Sequence, residues 1–184
     1  MIFYDIGYLK EGNSRQQHCY KVLRETNILE ILHSYNPVVV GTIPIAIDIE
    51  GSDIDVACCT ENLLEFRDIV RFNFSSFKDF SDHLENVYIA NFEYRGLEIE
   101  IYGEPVPTFM QNGYRHMLIE DRILRLAGAK FRDDIIALKR QGYKTEPAFG
   151  ILLKLKDPYQ ELLNLVQLDD DELMSFVAQA LQNK

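Results

Sequence analysis

Gly41-Thr42-Ile43-Pro44-Ile45-Ala46-Ile47-Asp48-Ile49-Glu50-Gly51-Ser52-Asp53-Ile54-Asp55-Val56 is the stretch on which the fold turns. Asp53 and Asp55 are two apart and alternate with Ile54 and Val56. On a β-strand that spacing puts both carboxylates on one face and the aliphatic residues on the other. Carboxylates held side by side repel, and each raises the other's pKa unless a cation lies between them. Hard cations such as Mg²⁺ prefer carboxylate oxygens and keep some water or phosphate ligands. An acidic pair presented directly after the Gly51-Ser52 turn therefore reads as a metal and phosphate site. Taken alone, Asp-x-Asp is common and fits a solvated, inert strand face better than a functional one.

Upstream, Val38-Val39-Val40 reads as a short buried strand. Before it, Ser14 to Tyr35 reads as one helix, with Cys19, Val22, Leu23, Thr26, Leu29 and Leu32 at helical spacing. Ser14 and Gln17 have the spacing of a capping box at its start. Downstream, Asp53 to Cys59 is the second strand. Asn62 to Arg71 is a helix with Leu64, Phe66 and Val70 inward and Thr60 as its cap. Phe72, Phe74, Phe77 and Phe80 follow, as core or as a pocket lining. Asn86 to Tyr94 and Leu97 to Tyr102 form an antiparallel pair turning at Arg95-Gly96. In its second strand Leu97, Ile99 and Ile101 alternate with Glu98 and Glu100, so the two acids share a face. Such acids on a solvent-facing edge also protect a strand against aggregation.

Beyond Pro105 and Pro107 the pattern is helical. Gln111 to Ala127 is closed by Gly128, and Arg132 to Gln141 by Gly142. Thr145 to Leu155 opens on Thr-Glu-Pro. Asp157-Pro158 starts another helix, and Asp169-Asp170-Asp171 caps the last, where negative charge suits the helix dipole. Strands first and helices after them predict an α+β fold: a small mixed β-sheet core over 1–104 and a C-terminal helical bundle over 105–184.

A chain of 184 residues that is 47% hydrophobic has the size and composition of one globular unit. No apolar run reaches the roughly 18 residues of a membrane span. Met1 to Lys10 lacks a basic start followed by an apolar core, so it does not read as a signal peptide. Cys19, Cys58 and Cys59 have no zinc spacing, and strand neighbours Cys58 and Cys59 point to opposite faces. The cytoplasm is the expected compartment. The formal net charge of -10 argues against nucleic acid as a main partner, since Lys and Arg neutralising phosphates dominate that affinity.

Val40-Gly41-Thr42, the ten-residue interval and Asp53-Ile54-Asp55-Val56 together resemble the signature of the nucleotidyltransferase superfamily that includes DNA polymerase beta. The whole chain also resembles an uncharacterised bacterial family of nucleotidyltransferase-like proteins. The segments that carry this likeness are 8–13, 41–45, 51–55, 111–117 and 142–149. The resemblance implies an active site in a cleft between sheet and bundle. Asp53 and Asp55 would hold one or two Mg²⁺, with Mn²⁺ as a substitute. A third carboxylate on a later strand would complete the site: Glu100 by the match of Glu-Ile-Tyr-Gly, with Glu98 on the same face. Gly41 and Thr42 stand where the superfamily has Gly followed by Gly or Ser, so their N–H groups and hydroxyl would hold triphosphate oxygens, with Ser52 within reach. Lys10, Arg115, His116 and Lys144 are basic residues in the matching segments and Arg15 lies just past the first; one or two of the five would face the cleft and offset phosphate charge. For His116 the rival reading is a helix-surface pair with Glu120, four residues on. Tyr114, Met117 and Leu124 read as core.

The implied activity is transfer of a nucleoside monophosphate from a nucleoside triphosphate to a small-molecule or protein hydroxyl. The rival is a catalytically silent nucleotide- or metal-binding module of the same fold. The methyl of Thr42 and the additional acids Asp48 and Glu50 favour the rival. RNA as acceptor is disfavoured by charge.

Overall fold

The computed structural model describes residues 3–182. They divide into two compact units, 3–46 with 51–114, and 47–50 with 115–182.

The first unit is built on a five-stranded sheet in the order β1-β2-β5-β4-β3. The strands are β1 (Val38–Val40), β2 (Ile54–Cys59), β3 (Lys78–Leu84), β4 (Tyr88–Tyr94) and β5 (Leu97–Glu104). β2 and β5 run parallel, and the other neighbours are antiparallel. The sheet is therefore mixed, as expected for the α+β core. A parallel pair needs a crossover, and the chain between β2 and β5 supplies it with α4 (Leu63–Phe74), β3 and β4. The β4–β5 hairpin turns at Arg95 and Gly96, with φ of 51° and 76°. Two successive positive φ values are what a two-residue turn between twisted strands requires.

Ile54, Val56 and Cys58 of β2 and Leu97, Ile99 and Ile101 of β5 lie in one buried cluster. Cys19, Val22 and Leu23 of α2 (Ser14–Thr26) and Phe66, Val70 and Phe74 of α4 complete it. Period-2 alternation leaves the other face of β2 and β5 to Asp55, Glu98 and Glu100. Apolar burial of this kind, at about 25 cal/mol per Å², is what holds the acidic face in place.

Several expected elements differ. The predicted Ser14–Tyr35 helix is broken at Asn27, whose φ of 54° is left-handed; α3 (Ile28–Ile31) and a 3₁₀ turn over His33–Tyr35 follow. Asn13 and Gln16, not Ser14 and Gln17, form the capping box. α4 is capped by the Asn62 side chain, while the Thr60 hydroxyl accepts from the Asn62 N–H. Leu64 is exposed because α4 buries the Phe66–Val70–Phe74 stripe, and Leu64 lies off it. β3 falls where no element is expected, and of the aromatic run Phe74 joins the core and Phe77 packs against it, both stacking with Phe92 at ring centroids 5.1–6.1 Å apart. Phe72 by contrast is exposed.

In the second unit, α5 (Asn112–Ala127) contributes Met117, Ile119, Ile123 and Leu124 to the interior. α7 (Thr145–Leu153) packs with α6 (Ala129–Arg140), α8 (Pro158–Leu165) and α9 (Asp170–Gln182). Phe131 meets Phe149 edge-on at 5.7 Å. The buried ammonium of Lys139 donates to the Ile47 carbonyl at 2.9 Å. Among the described residues no helix is long and apolar enough to cross a membrane, and the three cysteines are free thiols.

Asp82 on β3 accepts two hydrogen bonds from Arg71 (2.6 and 3.0 Å) and one from the hydroxyl of fully buried Tyr88 (2.8 Å). The bond from Arg71 holds its carboxyl below the ordinary value of 3.8. Asp82→Ala orphans the Tyr88 hydroxyl and is expected to cost about 1–3 kcal/mol; Arg71→Ala, at an exposed guanidinium, costs less. Because the folded pKa is depressed, the Asp82 contribution is present above 3.8 and is lost as pH falls through the lower folded value. Denaturant unfolding of both variants at neutral pH and in strong acid checks the ranking and the convergence.

Candidate functional site

The parallel pairing of β2 with β5 sets Ile54 beside Ile99, Asp55 beside Glu100 and Val56 beside Ile101. Neighbours in register share a face, so Asp55 and Glu100 project together. Asp53 is the residue before β2, two positions from Asp55, and half-buried. Glu98 is exposed and lies one pair further along β5, opposite Glu93 of β4. Of the two glutamates, Glu100 is therefore the one in register with Asp55. Burial, then the charge of Asp53, then that of Glu98 push the Glu100 carboxyl above its ordinary range. Two additional neighbours were not evident from sequence: Val40 of β1 pairs with Asp55, and Asn91 of β4 pairs with Glu100.

Gly41 ends β1 with φ of 84°, a left-handed value. A Cβ there would collide with Oδ2 of Asp55. The glycine thus does two things at once: it turns the chain, and it lets backbone lie against the carboxylate. The Thr42 and Ser52 hydroxyl oxygens lie 3.4 Å apart and join the two ends of the 41–53 loop. α2 pins this loop twice. Arg15 Nη2 donates to the Ser52 carbonyl at 2.5 Å, and Gln16 Nε2 donates to the carbonyls of Ile43 (3.0 Å) and Pro44 (3.1 Å). Arg15 Nε is buried with no hydrogen-bond partner among the described residues. A guanidinium anchored at Ser52 places positive charge next to the residue that precedes Asp53. Gln16 carries no sequence signal for this role, since its partners are backbone carbonyls 27 and 28 residues away.

The other sequence candidates are placed as follows. Lys10 is exposed at the end of α1 (Gly7–Lys10). Asp48 and Glu50 fall in the 47–50 segment of the second unit, half-buried and exposed respectively. Arg115 is half-buried on α5, and Lys144 is the exposed residue that precedes α7. Tyr114, Met117 and Leu124 are buried, as expected.

The surface-pair reading of His116 and Glu120 does not hold, because both are interior: the residues are 7% and 4% exposed. The reason is their position on α5, where Met117, Ile123 and Leu124 share the buried face with them. Glu146, in the first turn of α7, joins them. One ligand atom from each of the three lies within 4.8 Å of the others. Burial lowers the His116 pKa, against the opposing pull of Glu146. Burial and the charge of Glu146 push the Glu120 carboxyl well above its ordinary range, with Lys139 acting in the opposite sense. The i, i+4 spacing of His116 and Glu120 within an apolar stripe was a legible signal; Glu146, 26 residues beyond Glu120, was not.

Two variants test the acidic strand pair. Gly41→Ala is expected to destabilise the protein by about 1–3 kcal/mol, the cost of forcing a side chain into left-handed backbone, with the Asp55 collision added. In the presence of chelator, Glu100→Gln is expected to raise the melting temperature near neutral pH. That gain shrinks as pH falls toward 4.5, the ordinary glutamate value, because protonation then removes the same charge from the wild type. Thermal melts of both variants across pH give the readout.

The family model described as a domain of unknown function, DUF4269, matches residues 21–165. No curated protein sequence matches the chain. Among solved structures, the GLD-2/RNP-8 complex superposes with a TM-score of 0.58 at 11% identity, over 91% of this chain and 66% of that one. The Cid1 poly(U) polymerase with MgGTP bound gives 0.56 at 12% identity, over 91% and 66%. A cytoplasmic RNA terminal U-transferase gives 0.53 at 11% identity, over 84% and 47%. This chain thus spans less than two thirds of the length of these structures. At such identities the likeness speaks for the fold, a nucleotidyltransferase-like α+β arrangement. The match over residues 21–165 places the chain in the DUF4269 family, with a nucleotidyltransferase-like fold.

Proposed function

We propose that this protein is a Mg²⁺-dependent nucleotidyltransferase that moves a nucleoside monophosphate from a nucleoside triphosphate to a hydroxyl of a small molecule or a protein. The observation that carries the reading is the register of β2 on β5, which aligns Asp55 with Glu100. Asp53 acts electrostatically on the same glutamate.

The donor set fits a hard divalent cation. It is all carboxylate, half-buried, and burdened with mutual repulsion that a cation would relieve. Asp53, Asp55 and Glu100 would hold one or two Mg²⁺, with Mn²⁺ as a substitute. When bound, the metal supplies Lewis-acid stabilisation of charge on the transferring phosphoryl group and on the leaving pyrophosphate. Asp55, central in sequence position between Asp53 and its register partner Glu100, would be a shared ligand if two ions bind. Glu100 orients the acceptor hydroxyl and takes its proton as the oxygen attacks the α-phosphorus. The new P–O bond forms as the bond to the β-phosphate oxygen breaks, and pyrophosphate leaves. The Gly41 and Thr42 backbone, with the Thr42 and Ser52 hydroxyls, offers donors for phosphate oxygens. Arg15, tied to Ser52, supplies positive charge at the same loop.

The acceptor class rests on charge: at -10, the chain is poorly suited to neutralise a long polyanion. One structural neighbour is an RNA terminal U-transferase and another a poly(U) polymerase, so RNA is the competing acceptor to be tested. The silent-module reading is favoured by Thr42, which brings a methyl where the superfamily has Gly or Ser.

The test supplies labelled nucleoside triphosphates, Mg²⁺ and a cell extract divided into small-molecule, protein and RNA fractions. Label is expected to move into one of the first two fractions with release of pyrophosphate. Asp53→Asn and Asp55→Asn, folded by circular dichroism, are expected to lower the rate by on the order of 10²-fold or more, as when a preorganised electrostatic contact to the transition state is removed. Label in RNA alone would replace the acceptor assignment. Metal-dependent nucleotide binding without transfer would establish the silent module.

A further inference from the structure

The second unit holds a chemistry of its own. His116 and Glu120 stand one turn apart on α5, and Glu146 faces them from the first turn of α7. His116 and Glu120 are each more than nine-tenths buried, yet His116 Nδ1 and Glu120 Oε1 have no hydrogen-bond partner among the described residues. Two such atoms in one place call for an explanation, because buried polar groups in native proteins are almost always satisfied. The neighbouring cation, Lys139, directs its ammonium to the Ile47 carbonyl at 2.9 Å. Tyr159 meets the His116 imidazole edge-on with ring centroids 6.4 Å apart.

We propose that His116, Glu120 and Glu146 form a binding site for a divalent transition-metal ion, Zn²⁺ in the first instance, that clips α5 to the start of α7. The ligand atoms lie within 4.8 Å of one another. Around a tetrahedral ion with bonds of about 2.0–2.1 Å, ligand atoms sit roughly 3.4 Å apart. Binding would draw the ligand atoms together by at most about 1.4 Å. The unpartnered imidazole nitrogen and carboxylate oxygen are lone-pair donors, and they become satisfied when the ion binds. Two carboxylates offset the charge of a divalent cation that would otherwise be costly to bury.

The donor types choose the metal. An imidazole nitrogen among two carboxylates suits Zn²⁺ better than Mg²⁺, which demands near-octahedral oxygen ligation. Three protein ligands leave the fourth tetrahedral position for water or another small donor. The site lies wholly in the second unit, whereas Asp53, Asp55 and Glu100 belong to the first. It stands whether or not the acidic strand pair catalyses anything.

The experiment uses the full chain carrying Asp53→Asn and Asp55→Asn, so that the strand carboxylates contribute little. The protein is stripped with chelator, and Zn²⁺ and Mg²⁺ are titrated separately by calorimetry, with Co²⁺ absorption as a ligand-field probe. The expected result is one equivalent of Zn²⁺ bound far more tightly than Mg²⁺, a melting temperature raised by Zn²⁺, and visible Co²⁺ bands of reduced coordination number. Glu146→Gln leaves a half-buried position the same size and should preserve the fold. It is expected to weaken Zn²⁺ by at least the roughly 10- to 100-fold that loss of an outer-shell partner alone costs. Glu120→Gln, nearly isosteric, repeats the test inside the helix face. Failure of the parent to bind Zn²⁺ would overturn the proposal, and so would affinity and Co²⁺ bands unchanged in both folded variants. His116 and Glu120 would then be a neutral buried pair.

Discussion

The parallel contact between β2 and β5 is the constraint on which the rest of this chain depends. It lies within the sheet, with β1 outside β2 and β4 outside β5. Because it is parallel, it cannot be closed by a hairpin and must enclose α4, β3 and β4 in its crossover. Because strand side chains alternate, its register decides which residues face the helices. A slip of one position would turn Ile54, Val56 and Cys58 away from the buried cluster and Asp55 into it. The apolar residues that stabilise the sheet therefore also aim the carboxylates. Core and site are read from opposite faces of the same two strands.

That alignment has an energetic consequence. The pairing that satisfies Ile99 and Ile101 inside puts Glu100 beside Asp55, with its carboxyl pushed up by burial, by Asp53 and by Glu98. No solvent-facing strand needs this; a lysine at any of these positions would relieve it. Charge concentrated against its own preference, beside a Gly41 position that admits no side chain, is what makes these strands the candidate site. The supporting contacts share the same logic. Arg15 and Gln16, adjacent on α2, grip the loop at Ser52 and at Ile43 and Pro44. The loop that leads into Asp53 is thereby held by side chains on a regular helix, which positions it more sharply than loop contacts would.

What the sequence disclosed follows from how local each signal was. β1, β2 and the β4–β5 hairpin were legible because period-2 alternation and the Arg95-Gly96 turn are contained within a few residues. β3 was not. Lys78, Asp79, Ser81, Asp82 and His83 carry no strand pattern of their own, and they form a strand where β4 offers its edge. The polar character that concealed β3 also suits an outermost strand, which must resist pairing with other chains. The break after Thr26 was hidden for a different reason. Asn27 takes a left-handed conformation that asparagine tolerates better than most residues, without interrupting the apolar spacing on either side. Leu64 was assigned inward by counting hydrophobic residues, when the 66–70–74 stripe alone sets the buried face.

The candidate sites divide along the same line. Asp53, Asp55 and Gly41 could be named from one stretch of sequence, because a strand, a turn and an interval encode them. Glu100 required a second strand and an assumption about pairing, which the register now replaces with an observation. The cluster of His116, Glu120 and Glu146 depends on two helices meeting. Its one local clue, a histidine and a glutamate one turn apart, has the same spacing as an ordinary surface pair. Burial is what separates the two readings. An exposed pair is satisfied by water, whereas Nδ1 and Oε1 withdrawn from water must find a proton, a donor or a cation. The chain thus keeps carboxylates in both of its units, one set aligned by strand register and one by helix packing. Only the first kind leaves a periodic trace in the sequence.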